Sequence, residues 1–126
     1  MDTAKAEALA KRLGATCLTV SELIAQCDMV LVGVKPQGLA ALSAEIAPAL
    51  KARAGEITLV SMCAGVCLEK LASLFGTDAK IIRIMPNTPA AVGEGMILYV
   101  PGALCGETDV SLLLSALAPA DRKSVV

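Results

Sequence analysis

The hydrophobic positions of this chain alternate between continuous apolar runs and runs with helical spacing. Residues 29–34 are apolar at every position, which is typical of a parallel strand that is buried on both faces, and the mostly apolar runs at 57–61 and 80–85 also predict buried strands. Leucines and isoleucines recur every three or four residues in 37–53 and 67–75, which predicts helices with one inward face. The pattern therefore predicts a β-α-β-α-β succession, the signature of an α/β fold with a doubly wound parallel sheet.

Three further segments are predicted before this succession. Alanine and leucine alternate with charges at helical spacing over 2–13, and Gly14 is expected to end that helix as its C-terminal cap. A short extended segment is expected at 15–19. Ser21 is then expected to cap a brief helix that ends at Gln26.

Two elements and a tail are predicted after it. The pattern indicates a fourth strand at 96–100 and a helix that begins at Asp109 or Ser111. The last residues show no periodicity. We therefore expect one domain over 1–120 and an irregular tail at 121–126.

The composition narrows the class of protein. The chain has 126 residues, 56 % of them hydrophobic and 2 % aromatic, so one core must be packed from aliphatic side chains. The formal net charge is −1 with both signs scattered, which provides no electrostatic footprint for nucleic acid or an anionic membrane. We expect neither partner.

Histidine and cysteine usage restricts the chemistry further. The chain has no histidine, which excludes His-based triads and imidazole acid–base chemistry within it, and no metal site is predicted. Five cysteines are an odd number, and no CxxC pair occurs among them. We expect reduced thiols and a cytoplasmic protein.

Short turn-forming segments follow the three apolar runs and are the candidate functional positions. Lys35-Pro36 follows the first run, Met62-Cys63-Ala64 the second, and Pro86-Asn87-Thr88-Pro89 the third. Open α/β sheets bind ligands at the carboxyl ends of their strands, so these turns are expected to meet at one edge. The glycine-rich G-x-G-x-x-G turn that would receive a pyrophosphate is absent from the sequence.

Three segments together resemble the pyrroline-5-carboxylate reductases: VGVKPQ at 32–37, LVSMCAGVCLEKL at 59–71 and IIRIMPNTPAAVGEG at 81–95. The resemblance extends from about residue 6 to about residue 118. It implies a Rossmann-type domain of an enzyme that reduces 1-pyrroline-5-carboxylate, a small cyclic imine, to L-proline with NADPH or NADH. It also implies a C-terminal helical domain that makes the full-length protein a homo-oligomer and completes the active site.

The resemblance also assigns cofactor-binding positions. It places Gly33, Val34, Lys35 and Pro36 on the phosphate and ribose side of the cofactor. It places Met62, Cys63 and Ala64 near the nicotinamide ribose, and Asn87, Thr88 and Pro89 beside the nicotinamide and the imine. It assigns no catalytic residue to this chain. From the residues alone, Lys35 fits a solvated surface lysine, Cys63 and Cys67 fit core filler, and Arg83 fits a strand-edge charge.

The sequence departs from the family's pattern at both ends. The family's first two strands, its glycine-rich turn, its first helix and its helical domain have no counterpart here, and Val20 stands where a polar asparagine is usual. We therefore expect an incomplete Rossmann-type sheet in which the strand at 29–34 is an exposed apolar edge. The hypothesis is an incomplete or mis-started reading of a reductase gene, with little or no turnover by this polypeptide alone.

Two other readings stay open. One is an oxidoreductase domain of the 6-phosphogluconate and 3-hydroxyacid dehydrogenase group, which shares the fold and a proline-containing loop after a similar strand. The other is a truncated binding module without catalysis, which would pair through its open edge.

Overall fold

The computed structural model of the protein describes residues 3–53, 55–76, 78–85, 95–117 and 121–125. The helices are α1 (Thr3–Leu13), α2 (Val20–Gln26), α3 (Leu39–Ala52), α4 (Leu68–Phe75) and α5 (Glu107–Leu117), with a 3-10 turn at Pro36–Gly38 before α3. The strands are β1 (Met29–Val32), β2 (Thr58–Ser61), β3 (Lys80–Met85), β4 (Gly95–Pro101) and β5 (Asp121–Val125). Over these ranges no helix is both long and apolar enough to span a bilayer.

The strands form one sheet in the order β1-β2-β3-β4-β5. The first three are parallel, and the register aligns Leu31 with Val60 and Val60 with Ile82. Helices α3 and α4 are the crossovers between them, as the β-α-β-α-β pattern predicted. β4 runs antiparallel to β3, so the sheet is mixed at this end and not parallel throughout. Nine residues separate β3 from β4, fewer than the dozen that a parallel crossover needs.

Helices cover both faces of the sheet, which confirms the doubly wound arrangement. The first face packs under α2, α3 and α4, and its buried side chains include Ile24, Leu39, Ile46, Leu50, Leu59, Leu71, Phe75 and Ile81. The second face packs under α5 through Val60, Ile82, Ile84 and Leu113. β2 is buried at all four of its positions, because both faces of this inner strand are covered.

Several element ends were predicted correctly and others were not. Gly14, Gly55 and Gly76 have positive φ at the ends of α1, α3 and α4, as expected for helix-ending glycines. The cap of α2 is Thr19 and not Ser21. The Thr19 hydroxyl accepts from the Glu22 N–H at 3.2 Å, and the Glu22 carboxylate accepts from the Thr19 N–H at 2.7 Å. This reciprocal capping box satisfies two N–H groups, which a cap at Ser21 would not.

Two regions differ from their predicted conformation. The tail expected to be irregular at 121–126 contains β5, which pairs in parallel with β4. A strand of this kind is stabilised by its partner and need not show a periodic pattern of its own. The segment at 15–19, which was expected to be extended, forms no strand within the described residues.

β1 is the first strand of the sheet and has a strand neighbour on one side only in the described chain. The expectation of an apolar edge strand is therefore confirmed. Burial on both faces was wrong for Leu31, whose side chain is 47 % exposed although its cross-strand neighbour Val60 is fully buried. α5 covers the inner strands and leaves this position at the rim.

Candidate functional site

The predicted segments after β1 and β2 meet at the carboxyl edge of the sheet. The N–H of Met62 donates to the carbonyl of Val32 at 3.1 Å, which extends the pairing beyond the strands. The thiol of Cys63 donates to the carbonyl of Val34 at 2.9 Å. Because β1 and β2 are parallel neighbours, both turns emerge on the same side. The structure therefore brings residues 33–36 and 62–64 together, as the sequence predicted.

Most of these residues are open to solvent. Gly33, Val34, Lys35, Pro36, Met62 and Ala64 are exposed. Cys63 is the exception, with 3 % of its surface accessible. Its N–H donates to the Ser61 hydroxyl at 3.3 Å and its thiol is engaged with Val34, so this residue ties the two turns together. The core-filler reading of Cys63 therefore agrees with the structure, and any contact it makes with a ligand is indirect.

Three large apolar side chains lie exposed at the ends of β1, β2 and β3. Val34, Met62 and Met85 have 36 %, 37 % and 46 % of their surface accessible. Apolar side chains grouped at a sheet edge are typical of a ligand-binding wall. Met85 was not among the predicted site residues, because a methionine at the end of an apolar strand looks like core in the sequence.

Gly33 leaves room for the side chain of Met62, the residue that follows β2. A Cβ atom at this position would lie 3.0 Å from the Cε atom of Met62. Gly33 is also exposed, so no side chain of its own covers the main chain of the first turn. A ligand can therefore approach the backbone there.

α3 begins directly after the first turn. Lys35 is extended with φ −67° and ψ 150°, Pro36 opens the 3-10 turn, and the Gly38 N–H donates to the Lys35 carbonyl at 2.8 Å. The first N–H groups of a helix have no partner within it and carry partial positive charge. Lys35 adds a full positive charge at the same place. This corner suits an anionic group.

A groove of about 440 Å³ lies between this corner and the start of α4. Pro36 and Gln37 line one side, and Gly65, Cys67 and Lys70 line the other. The backbone N–H of Glu69 itself, and to a lesser degree the thiol of Cys67, donate to the Glu69 carboxylate and hold its pKa below its usual range. The groove thus continues the open surface from α3 to α4.

The third predicted segment, which contains Asn87, Thr88 and Pro89, lies outside the described residues. Among the residues that are described, no group of three His, Cys, Asp or Glu side chains could hold a metal ion.

A polar cluster that sequence reasoning missed lies at the opposite edge of the sheet. Asp109 Oδ1 accepts from the Lys80 ammonium at 2.8 Å and from the Thr58 hydroxyl at 3.0 Å, while Oδ2 accepts from the Gly106 N–H at 2.9 Å. Lys80 and Asp109 keep only 17 % and 16 % of their side-chain surface accessible. The hydrogen bond from Lys80 holds the pKa of Asp109 below its usual value. The only local signal was an acid in the first turn of a helix.

Cys105 lies beside this cluster, and burial raises the pKa of its thiol. Its Sγ lies 3.5 Å from the carbonyl of Ile81. A thiol with a raised pKa forms little thiolate at neutral pH and is a poor nucleophile. Cys105 is therefore unsuited to act as a nucleophile, and the hydrogen bonds of Asp109 join α5 to β2 and β3.

Comparison with known proteins finds curated relatives that are named pyrroline-5-carboxylate reductase. No family model matches the chain. Pyrroline-5-carboxylate reductase 3 of Macaca fascicularis is 36 % identical over 101 residues, which are 80 % of this chain and 36 % of the relative. Pyrroline-5-carboxylate reductase of Escherichia coli (strain K12) is 37 % identical over 112 residues, which are 88 % of this chain and 40 % of the relative. The chain thus spans well under half the length of these curated relatives.

A solved structure agrees with the sequence comparison. The crystal structure of Plasmodium falciparum pyrroline carboxylate reductase with NADP bound matches with a TM-score of 0.78 and 27 % identity, over 89 % of this chain and 42 % of that one. The Rossmann-type fold expected from the sequence is confirmed by this match. The resemblance carried by the three motifs is confirmed as well.

Proposed function

We propose that this chain, a relative of the pyrroline-5-carboxylate reductases, is the nicotinamide-dinucleotide side of such an enzyme. The proposed activity of the whole protein is the reduction of 1-pyrroline-5-carboxylate to L-proline. The two sequence relatives are both named pyrroline-5-carboxylate reductase, and each matches most of this chain. The cofactor is NADPH or NADH, and the neighbouring solved structure has NADP bound.

One observation carries the proposal: two motif segments that are separated in sequence meet at the carboxyl edge of the sheet. The Cys63 thiol and the Met62 N–H bridge the two turns. The meeting point combines accessible main chain, a helix N-terminus with a lysine, and an apolar wall. A dinucleotide presents phosphates, riboses and flat rings, and these three features match those three chemistries.

The described residues fit one side of a dinucleotide. Residues Gly33, Val34, Lys35 and Pro36 are proposed to hold its phosphate and ribose side, and Met62, Cys63 and Ala64 the ribose nearer the nicotinamide. Asn87, Thr88 and Pro89 remain predicted contacts of the nicotinamide and the imine. When bound, a reduced nicotinamide would supply a hydride to C5 of the imine, and the ring nitrogen would take a proton from the solvent to become the amine of proline. The chain's own residues orient the ring and exclude water from it.

The remaining features of the proposal concern the whole enzyme. We expect a homo-oligomer that forms through a C-terminal helical domain and works in the cytoplasm on a small cyclic imine. We also expect the purified 126-residue polypeptide to turn over little or not at all by itself. Proline formation by that polypeptide at a rate typical of enzymes would contradict this last expectation.

Thermal unfolding of the purified chain with NADPH tests the proposal. At a concentration of about 100 times Kd, a ligand that binds only the folded state stabilises it by about 2.7 kcal/mol, which raises Tm by several degrees. The variant Lys35→Gln should reduce this rise. Lys51→Gln, at the other end of α3, should leave it unchanged, because 14 residues of helix place it about 21 Å away.

The outcomes separate two functions. A rise in Tm that Lys35→Gln reduces and Lys51→Gln does not reduce supports a dinucleotide site. Absence of any rise, combined with self-association of the folded chain, would favour the non-catalytic binding module. The exposed Leu31 on the edge strand β1 is the observation that favours this second candidate function.

A further inference from the structure

The guanidinium group of Arg83 near the end of β3 has an unused hydrogen-bonding edge. Its Nε atom is buried and has no hydrogen-bond partner in the described part of the chain. The Nη2 atom lies 3.9 Å from the thioether sulfur of Met85, which is a weak acceptor. A guanidinium is always charged in proteins, and leaving a buried charged donor unpaired is costly. This cation therefore differs from an ordinary solvated strand-edge charge.

The sheet register places Arg83 next to the strand-end site. Arg83 pairs with Ser61, and Ser61 pairs with Val32, so the three side chains share one face. Each of the two partners immediately precedes one of the site's two turns. At about 4.8 Å between strands, the end of β1 is only about 10 Å away. Met85 is 46 % exposed, so the Nη2 end of the group reaches the rim where a ligand would lie.

The ion pairs of the described residues do not include Arg83. Arg53 pairs with Asp28 and Glu56, and Lys80 pairs with Asp109. Arg53 also donates to the carbonyls of Ile24 and Cys27. The contrast between the two arginines is informative, since the fold gives one of them strong acceptors and the other only a thioether.

We propose that Arg83 binds an oxyanion of the ligand taken by the strand-end site. The side of a guanidinium that carries Nε and Nη2 matches two oxygens of a carboxylate or a phosphate in a bidentate pair. The Met85 thioether lies across that side, and its unbranched, flexible side chain has to swing aside. The inference rests on the proposed function, within which the oxyanion is a cofactor phosphate or the carboxylate of the imine.

Binding measurements on the full 126-residue chain test this role. The probes are NADPH for the phosphate source and L-proline, with NADP⁺ present, for the carboxylate source. Arg83→Gln should weaken binding of one probe by about tenfold or more, which is the loss expected for hydrogen bonds to a charged group. Arg83→Lys should restore only part of it, because a point charge cannot form the fork. Arg12→Gln, an exposed arginine of α1, is the matched control and should change nothing.

Met85→Ala gives a second test that does not depend on removing the arginine. Met85 is half exposed, so its truncation should leave the fold intact. Uncovering the fork should strengthen binding of the same probe by more than the loss of this one apolar wall side chain weakens it. Circular dichroism and Tm of each variant check folding. Two results together would show that Arg83 serves only the fold. One is a lower Tm of Arg83→Gln with unchanged binding of both probes, and the other is unchanged binding by Met85→Ala.

The inference and the proposed function fail in different ways. Wild-type chain that binds NADPH, with Arg83→Gln binding both probes equally well, overturns the role of Arg83 and leaves the dinucleotide site standing. Wild-type chain that binds neither probe overturns both.

Discussion

The two edges of the sheet are built from similar residue types and behave in opposite ways. At the amino edge, Lys80, Asp109 and Thr58 satisfy one another in a partly buried cluster. At the carboxyl edge, Lys35 is exposed, and a buried nitrogen of Arg83 has no hydrogen-bond partner among the described residues. Polar groups that are fully paired stabilise a fold, whereas unpaired ones that point at an open surface are available to a ligand. The amino edge holds the sheet and α5 together, and the carboxyl edge is the candidate site.

The largest expected effect is the loss of stability caused by Asp109→Ala, which removes the shared acceptor of the cluster at the amino edge. The substitution leaves the Lys80 ammonium and the Thr58 hydroxyl without their acceptor, and both are largely buried. We expect the free energy of unfolding to fall by about 2 to 3 kcal/mol, measured by urea denaturation. Glu107→Ala, an exposed acid in the same turn of α5, is the control and should cost less than about 0.5 kcal/mol. Equal effects of both variants would contradict a buried cluster.

A pair of glycine substitutions compares the edges directly. A Cβ atom on Gly102, at the amino edge, would lie 2.7 Å from the backbone oxygen of Ile81. Backbone cannot move cheaply, so Gly102→Ala should destabilise by about 2 kcal/mol. Gly33→Ala, at the carboxyl edge, meets only the flexible end of Met62 and should cost less than about 1 kcal/mol.

The same pair should separate stability from binding. Gly33→Ala displaces Met62 and should lower the NADPH-dependent rise in Tm, whereas Gly102→Ala should lower Tm with and without NADPH by the same amount. If Gly33→Ala destabilised the chain as much as Gly102→Ala, the carboxyl edge would be as rigid as the amino edge.

Acid titration gives a smaller effect of the same origin. Lys80 lowers the pKa of Asp109 in the folded state below the value of about 3.9 expected in the unfolded chain. The unfolded state therefore binds the proton first as pH falls. The stabilisation is present above about pH 4 and is lost as pH falls through the lower pKa of the folded state.

The measurement is the free energy of unfolding at pH 7, 5 and 3 for wild type and Asp109→Asn. The difference between the two proteins should shrink as the pH falls from 5 to 3. Glu69 also has a lowered pKa, but it is present in both proteins and its contribution cancels. A difference that stays constant down to pH 3 would mean that the charge of Asp109 adds nothing to its hydrogen bonds.

Local sequence pattern predicted the elements but not the contacts between them. The strand at 80–85 has the predicted bounds, because apolar residues that end at a proline leave few alternatives. The N-terminal cap of α2 is Thr19 and not the predicted Ser21, because Glu22, three residues after Thr19, forms a capping box with it. The resemblance predicted that the strand containing Leu31 lies at an edge of the sheet. The exposure of the Leu31 side chain depends on the position of α5, which the sequence pattern did not specify.

Pattern and motif in the sequence determined the α/β class, the order of the helices and strands that precede β4, and the turns that carry the site. They did so because burial and turn geometry are encoded within a few neighbouring residues. Tertiary structure alone decided that the Cys63 thiol joins the two turns and that Asp109 meets Thr58 across 51 positions. It also decided that the Arg83 Nε atom is buried without a partner in the part of the chain that the structure describes. These outcomes depend on which side chains the sheet register brings together, and no local pattern specifies that.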